Sequence, residues 1–219
     1  MSTDKHVVLM PMIMWGHTRP MCTFAARIVK LRPRMLVTMF VSNGFYERAR
    51  AEIALEFQSG EDHLQSRITL IRLTRATSTW DSATYEADFL DTWVSFGGGQ
   101  PLSGYTADGT PRQLAPSEKH RFTAAVIDIF AIAAFDTFRK LKEATGIKVY
   151  SWFPASLICM FKWFGTDLAP RAREFASRTG VSFDVAAHEL LIVPKGEVVE
   201  SPCLPRMYDY EYHPQAAYN

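Results

Sequence analysis

The sequence has few cysteines and almost no net charge, and each shortage excludes a class of protein. Its three cysteines, Cys22, Cys159 and Cys203, are an odd number and lack metal-ligand spacing. We therefore expect neither a secreted disulfide scaffold nor a metal site, but a reduced cytoplasmic chain. Lys and Arg number 24 against 23 Asp and Glu, so no nucleic-acid-binding or polybasic membrane surface is expected.

Long hydrophobic runs and nucleotide-binding glycine motifs are also missing. The longest apolar stretch, residues 149–164, is interrupted by Pro154 and Lys162, so we expect no transmembrane segment. We also expect no signal peptide, because Asp4 precedes the first apolar run and Gly16 interrupts it. The three glycines at 97–99 lack the pattern of a P-loop or a dinucleotide fold. This absence counts against a nucleotide-dependent oxidoreductase on a Rossmann-like sheet.

The chain instead alternates apolar runs with amphipathic stretches, which is typical of an α/β fold. The pattern predicts a doubly wound, mostly parallel sheet with helices on both faces, in one domain over residues 1–200. Strands are predicted at 6–14, 35–41, 67–73, 124–127, 148–153 and 190–194. Helices are predicted from Pro20 to Lys30 and over 45–57, 84–96, 129–144, 155–164 and 167–178. Residues 97–116 are predicted to form a long loop, and 201–219 a tail rich in Pro and Tyr or the start of an interdomain segment.

His17 is the first candidate functional residue. Gly16 interrupts the first apolar run, and Pro20 suits a first helical turn, so we predict a strand, a tight glycine turn and a helix. This position is the carboxyl edge of a strand, where open α/β sheets bind ligands. A helix N-terminus disfavours imidazolium, and a neutral imidazole can accept a proton. From the residues alone, an exposed or hydrogen-bonded loop histidine remains the alternative.

Asp128 is the second candidate, because it follows the apolar strand 124–127 directly. In a parallel sheet it lies on the same edge as His17. The alternative role is that of N-cap for the helix that follows, a common use of aspartate. One carboxylate can fill both roles.

Two segments resemble the family-1 UDP-dependent glycosyltransferases of the GT-B fold. Val7 to Met21, VVLMPMIMWGHTRPM, is similar to the family's first strand, which ends in Gly-His followed by Pro and often Met. Val126 to Phe130, VIDIF, is similar to the strand that supplies an aspartate partner for the histidine. The resemblance implies that His17 is the catalytic base and Asp128 its partner. It also implies inverting attack of an acceptor hydroxyl on a UDP-sugar, which is a co-substrate, with no cofactor and no covalent sugar–enzyme intermediate.

Five residues near predicted strand or helix ends form a candidate acceptor pocket. Any single aromatic residue among them is more typical of a core, but together they predict an apolar pocket for a phenolic, sterol or lipid-like acceptor. They are Trp15, Gly16, Phe96, Trp152 and Phe153.

The resemblance covers the acceptor-binding half of the family and no more. The family's donor motif has Trp, then Pro-Gln, then His-x-Gly and a terminal Glu or Asp-Gln. This chain matches none of it beyond the fragment Pro214-Gln215. We therefore expect the UDP-sugar domain to be absent from this chain. The chain is then a truncated piece or half of a two-chain enzyme, and inactive alone. A non-catalytic small-molecule-binding module, or the acceptor subunit of a split transferase, is the second interpretation.

Overall fold

The structure is a computed structural model, and it forms two compact units, Met1–Pro154 and Ala155–Asn219. It describes residues 5–76, 78, 81–117, 122–154, 169–191, 193, 195–199 and 206–208. Every candidate functional residue belongs to the first unit. No helix within these ranges is both long enough and apolar enough to cross a membrane.

The first unit is built on a mostly parallel sheet, as predicted. Seven strands of its described part pair in the order β5-β4-β3-β2-β1-β6-β7. Strands β1, β2, β3, β6 and β7 are parallel, and β4 and β5 form an antiparallel hairpin at one edge. The strands are β1 Lys5–Met10, β2 Met35–Ser42, β3 Ile68–Leu73, β4 Leu102–Thr106, β5 Pro111–Leu114, β6 Phe122–Asp128 and β7 Lys148–Trp152.

Helices cover both faces of this sheet, so the doubly wound α/β class is confirmed. Side chains alternate along β1: Val8 and Met10 belong to one apolar cluster, and Val7 and Leu9 to another. The first cluster includes residues of α4 and α5, and the second includes residues of α1 and α2. The helices are α1 Trp15–Leu31, α2 Tyr46–Leu55, α3 Asp62–Gln65, α4 Ser82–Gly97 and α5 Ile132–Thr145, with a 3-10 turn at Asn43–Phe45.

The second unit contains two helices and a short strand pair within its described residues. Helix α6 spans Ala169–Thr179 and helix α7 spans Phe183–Leu191. Strands β8, Val198–Val199, and β9, Met207–Tyr208, pair antiparallel. The predicted strand at 190–194 is wrong at its start, because Leu190 lies in α7. The predicted helix at 155–164 and most of the predicted tail lie outside the described residues.

The segment between β1 and α1 differs from the sequence prediction. Strand β1 ends at Met10, and Pro11 has no N–H to continue the ladder. Helix α1 begins at Trp15, so Gly16 and His17 lie in its first turn, and Gly16 has no positive φ. The predicted tight glycine turn is therefore wrong. Pro20 is the sixth residue of the helix and leaves the exposed Gly16 carbonyl without an intrahelical N–H partner.

The predicted loop at 97–116 is the β4–β5 hairpin, and Gly104 allows this hairpin to approach β3. A Cβ at this position would collide with the Leu70 carbonyl oxygen and lie 2.7 Å from Cδ1 of Ile71. We expect Gly104→Ala to lower the free energy of unfolding by about 1–3 kcal/mol, measured by urea and thermal unfolding followed by circular dichroism. Gly44→Ala is the matched control, because a Cβ there has no neighbour within 4 Å. Equal losses for the two variants would contradict this explanation.

Candidate active site

His17 and Asp128 meet at the carboxyl edge of the parallel sheet. Nδ1 of His17 lies 2.8 Å from Oδ2 of Asp128, although the residues are 111 positions apart in the sequence. The Asp128 side chain is fully buried, and 17% of the His17 side chain is exposed. The pair is therefore a tertiary contact with one side open to solvent.

Strand pairing and helix packing bring the two side chains together. Strands β1 and β6 pair in parallel up to Met10 and Ile127, so both strands end at the same edge. Asp128 lies on the same face of β6 as Val126, whose cluster includes residues of α1. Helix α1 therefore packs on the face from which the carboxylate projects, and its first turn carries His17.

The second carboxylate oxygen has a role that differs from the N-cap alternative. Oδ1 of Asp128 accepts a hydrogen bond from the Phe130 N–H at 3.1 Å, which stabilises the turn after β6. Helix α5 begins four residues after Asp128, with Ala131 at its N-cap. Glu86 of α4 accepts from the N–H groups of Ala133 and Ala134 at 2.8 and 3.3 Å. The first turn of α5 is thus capped by Glu86, and the N-cap interpretation of Asp128 is wrong.

The hydrogen bond to Asp128 defines which nitrogen of His17 can act as a base. A carboxylate accepts hydrogen bonds, so the nitrogen that faces it, Nδ1, carries the proton. Nε2 then keeps its lone pair. The arrangement can therefore remove a proton at Nε2, while the carboxylate orients the ring and stabilises the positive charge that forms.

Tyr85 holds the chain segment that leads into this site. Its buried hydroxyl donates to the Pro11 carbonyl at 3.1 Å and lies 3.4 Å from the Phe40 carbonyl. Burial raises the pKa of this hydroxyl, and the negative charges of Asp128, Asp88 and Glu86 raise it further. Tyr85 is therefore a neutral donor that ties α4 to the ends of β1 and β2.

Phe130 is the residue at this site that the sequence prediction missed. Its ring lies 5.6 Å from the His17 ring in an edge-to-face arrangement, and 37% of the residue is exposed. Phe153, which was predicted, lies 6.3 Å from Phe130. The available signal was the position of Phe130, two residues after Asp128. Together the two rings form an apolar surface beside His17.

Three other predicted pocket residues lie near the carboxyl edge of the sheet. The rings of two of them pack against other side chains, and the third is a glycine. The half-buried Trp15 ring packs on Phe45 at 5.8 Å, and the Arg48 guanidinium carbon lies 3.9 Å from its centroid. Gly16 is exposed in the first turn of α1, with open space around it. Trp152 pairs with Asp128 in the β6–β7 register, but its ring packs on Phe24 of α1 at 5.1 Å.

The structure does not bring Phe96 to the site. Phe96 is 1% exposed, and its ring contacts Trp93 and Phe122 at 5.9 Å each. Phe122 begins β6, whereas Asp128 ends it, so Phe96 packs in the core at the opposite end of the strand. Its placement in the acceptor pocket is therefore corrected. Within the described ranges, no group of three or more His, Cys, Asp or Glu side chains could hold a metal ion.

Comparison with known proteins gives one curated relative and several similar structures. No protein-family model matches the sequence. The chain is 24% identical over 229 aligned positions to the UDP-glycosyltransferase eriJ of Hericium erinaceus. This alignment covers 98% of the chain and 41% of the relative, so the chain spans well under half of that protein's length.

Two solved structures are among those similar to the chain. UGT2 of Phytolacca americana, complexed with UDP-2fluoro-glucose and pterostilbene, is 15% identical with a TM-score of 0.51; 100% of this chain and 44% of that chain are covered. A ugt transferase of Siraitia grosvenorii, in complex with UDP, is 17% identical with a TM-score of 0.49 over 79% and 33% of the two chains. The predicted resemblance is confirmed: the chain is similar to part of a family-1 UDP-dependent glycosyltransferase of the GT-B fold.

Proposed function

We propose that this chain supplies the catalytic base and the acceptor-binding surface of an inverting UDP-sugar glycosyltransferase. The observation that carries the proposal is the 2.8 Å hydrogen bond between Nδ1 of His17 and the buried carboxylate of Asp128. This bond fixes the imidazole tautomer that leaves Nε2 free to accept a proton. Apolar rings lie beside the same histidine, where an acceptor would bind.

In the proposed reaction, an acceptor hydroxyl donates a hydrogen bond to Nε2 of His17. Its oxygen attacks the anomeric carbon of the UDP-sugar while its proton passes to Nε2. The bond between the sugar and UDP breaks, and UDP leaves with the electron pair. The Asp128 carboxylate stabilises the imidazolium during this step. General-base assistance of this kind accelerates such reactions by roughly 10²- to 10⁴-fold, and inversion is the stereochemistry that the family resemblance implies.

The proposed acceptor is a small apolar molecule of the phenolic, sterol or lipid-like kind. Phe130 and Phe153 support this, because the Phe130 ring lies 5.6 Å from the His17 ring and the Phe153 ring lies 6.3 Å from that of Phe130. Aromatic surfaces bind such ligands by burying apolar area. The Phytolacca americana structure, which contains pterostilbene, is consistent with an acceptor of this size.

We further propose that the UDP-sugar is bound by a separate donor-binding domain, in the same protein or in a partner chain. The chain covers 41% of its curated relative, and the part of its first unit that the structure describes contains one doubly wound sheet. On this proposal, the isolated chain binds acceptors but does not transfer sugar. A cytoplasmic location is proposed from the sparse, odd-numbered cysteines.

Calorimetric titration of the chain with ligands of both kinds tests this assignment. We expect binding of members of a flavonoid, sterol and simple phenol panel, and no binding of UDP or UDP-glucose. Phe130→Ala is expected to weaken acceptor binding by about two- to tenfold. Leu55→Ala, an exposed apolar residue on α2, is the control. UDP binding in competition with acceptors would identify this chain as the donor half and remove the roles given to His17 and Asp128.

A further inference from the structure

One turn of α4 carries three polar side chains that bond to segments at the carboxyl edge of the sheet. The Tyr85 hydroxyl donates to the segment after β1, and the Glu86 carboxylate accepts from the start of α5, which follows β6. The Asp88 carboxylate accepts from two N–H groups in the segment after β3. The first contact lies six residues before His17 and the second three residues after Phe130. Helix α4 therefore bonds to the chain on both sides of the candidate active site.

Tyr85 connects α4 to the segment that leads into α1. Its fully buried hydroxyl donates to the Pro11 carbonyl at 3.1 Å, and α1 begins four residues after Pro11, with His17 in its first turn. Helices α4 and α1 pack on opposite faces of the sheet, so this bond joins the two faces. Other bonds of the segment are local, such as the one from the Met14 N–H to the Met12 carbonyl at 2.7 Å. Tyr85 therefore fixes where the segment before His17 lies relative to α4.

Glu86 connects α4 to the turn that carries Phe130. The turn begins at Asp128, whose Oδ1 accepts from the Phe130 N–H, and it ends where α5 begins. The first turn of α5 consists of apolar residues, so its side chains offer no acceptor for the N–H groups there. The Glu86 carboxylate is that acceptor, 2.8 Å from the Ala133 nitrogen. Glu86 therefore holds the far end of the turn whose ring lies beside His17.

The two contacts bear on different parts of the proposed reaction. There His17 takes the acceptor proton, and displacement of a reacting group by about 1 Å can lower a rate by about 10²-fold. Phe130 supplies apolar surface for the acceptor and takes no part in the proton transfer. A displaced His17 would therefore lower kcat, whereas a displaced Phe130 would weaken acceptor binding.

We propose that this turn of α4 positions the candidate active site, an inference that rests on the proposed function. Tyr85 holds the segment before His17 and so keeps the base in place. Glu86 holds the turn that carries Phe130 and so keeps the acceptor-binding ring in place. Both are positioning residues, because Tyr85 is fully buried and Glu86 bonds to backbone N–H groups.

Separate measurements of kcat and of acceptor affinity test this division of roles. Tyr85→Phe is expected to lower kcat by about two- to tenfold and to leave acceptor affinity unchanged. Glu86→Ala is expected to weaken acceptor binding by about two- to tenfold, with little change in kcat. Glu86→Gln keeps an oxygen that accepts from the same N–H groups, so it should restore acceptor affinity. Affinity is measured by calorimetry on this chain, and kcat in a protein that includes the donor-binding domain.

Two buried residues provide matched controls. Tyr46→Phe removes a buried hydroxyl that has no hydrogen-bond partner among the described residues. Asp88→Ala removes the acceptor of two N–H groups at 2.7 and 3.0 Å on the same turn of α4. These N–H groups follow β3, which β2 separates from β1. We expect Asp88→Ala to lower the melting temperature but to leave kcat and acceptor affinity unchanged.

A double-mutant cycle shows whether Tyr85 acts through His17. We expect Tyr85→Phe to lower kcat when His17 is present and to have no further effect in the His17→Ala background. Nitrogen-15 NMR of this chain gives a second measurement without turnover. The fraction of His17 with its proton on Nδ1 should be smaller in Tyr85→Phe than in Tyr46→Phe, because a displaced ring bonds less well to Asp128.

Four results would overturn the inference. They are unchanged kcat and tautomer in Tyr85→Phe, unchanged acceptor affinity in Glu86→Ala, an equal Tyr85→Phe loss in the His17→Ala background, and equal losses in Asp88→Ala, which would show a general effect of helix stability. The proposed function would survive each of them as long as His17→Ala lowers kcat. Full turnover in His17→Ala would instead remove the proposed function and this inference with it.

Discussion

Replacement of His17 with alanine is expected to lower kcat for sugar transfer by roughly 10²- to 10⁴-fold. In the proposed reaction His17 Nε2 takes the acceptor proton, so in the variant the hydroxyl would have to attack without general-base assistance. Acceptor affinity should change little, because the proposed apolar binding surface of Phe130 and Phe153 remains in place. The loss of activity is therefore expected to appear in kcat and not in the affinity for the acceptor.

Turnover is measured in a protein that includes the donor-binding domain, and acceptor affinity is measured on this chain by calorimetry. His63→Ala is the matched control: His63 is an exposed histidine whose Nδ1 lies 3.1 Å from the Gly60 carbonyl oxygen. It should keep full turnover. If His17→Ala kept full turnover while acceptors still bound, the chain would be a binding module without a catalytic role.

The meeting of His17 and Asp128 was predictable because it depends on sheet topology. Apolar runs in β1 and β6 indicated buried parallel strands, and parallel strands that are neighbours end at the same edge. The family resemblance then indicated which two polar residues at that edge form a pair. Neither inference needed the position of any single side chain, and for that reason both agree with the structure.

The details that failed depend on contacts between residues distant in sequence. Phe96 lies at a helix end, as expected, but its position relative to the sheet depends on packing against Phe122. The cap of α5 comes from Glu86, 47 residues before Ala133. No local sequence pattern around Asp128 reveals that the Glu86 carboxylate already accepts hydrogen bonds from the N–H groups of Ala133 and Ala134.

The predictions for the start of α1 and for residues 97–116 were wrong for local reasons. Proline is most favourable in the first turn of a helix, so the sequence predicted a helix that begins at Pro20. The helix begins five residues earlier, at Trp15. Pro20 leaves the Gly16 carbonyl without an intrahelical donor. Because Gly16 is exposed, solvent can hydrogen-bond to this carbonyl, and the helix can begin at Trp15. The hairpin strands are short and mostly polar, so they lack the alternation of apolar and polar residues that identifies strands.

Asp128→Asn is the substitution that isolates the role of the carboxylate from that of the ring. In the native structure Oδ1 accepts from the Phe130 N–H, and Oδ2 accepts from Nδ1 of His17. Asparagine has one oxygen and one amide NH₂, so it can satisfy only one of these donors. With its oxygen on Phe130, its NH₂ faces Nδ1, and the imidazole proton must move to Nε2. The opposite orientation sets the NH₂ against the Phe130 N–H and leaves two buried donors facing each other.

The first orientation keeps every hydrogen bond, so we expect Asp128→Asn to fold normally with the wrong tautomer of His17. Nε2 then carries a proton and cannot act as a base, so kcat should fall by roughly 10²- to 10⁴-fold. Nitrogen-15 NMR of the imidazole measures the tautomer on this chain without any turnover assay. The directly bonded proton should move from Nδ1 to Nε2, while the melting temperature changes little.

Asp136→Asn, an exposed acid of α5 bonded to Arg139, should alter neither the tautomer nor kcat. Asp128→Ala leaves the Phe130 N–H without its acceptor and is expected to lower stability by about 1–3 kcal/mol, which Asp128→Asn avoids. The asparagine variant therefore separates a chemical role from a structural one. If it kept the Nδ1–H tautomer and full turnover, the buried carboxylate would serve the turn at Phe130 alone, and His17 would act without its help.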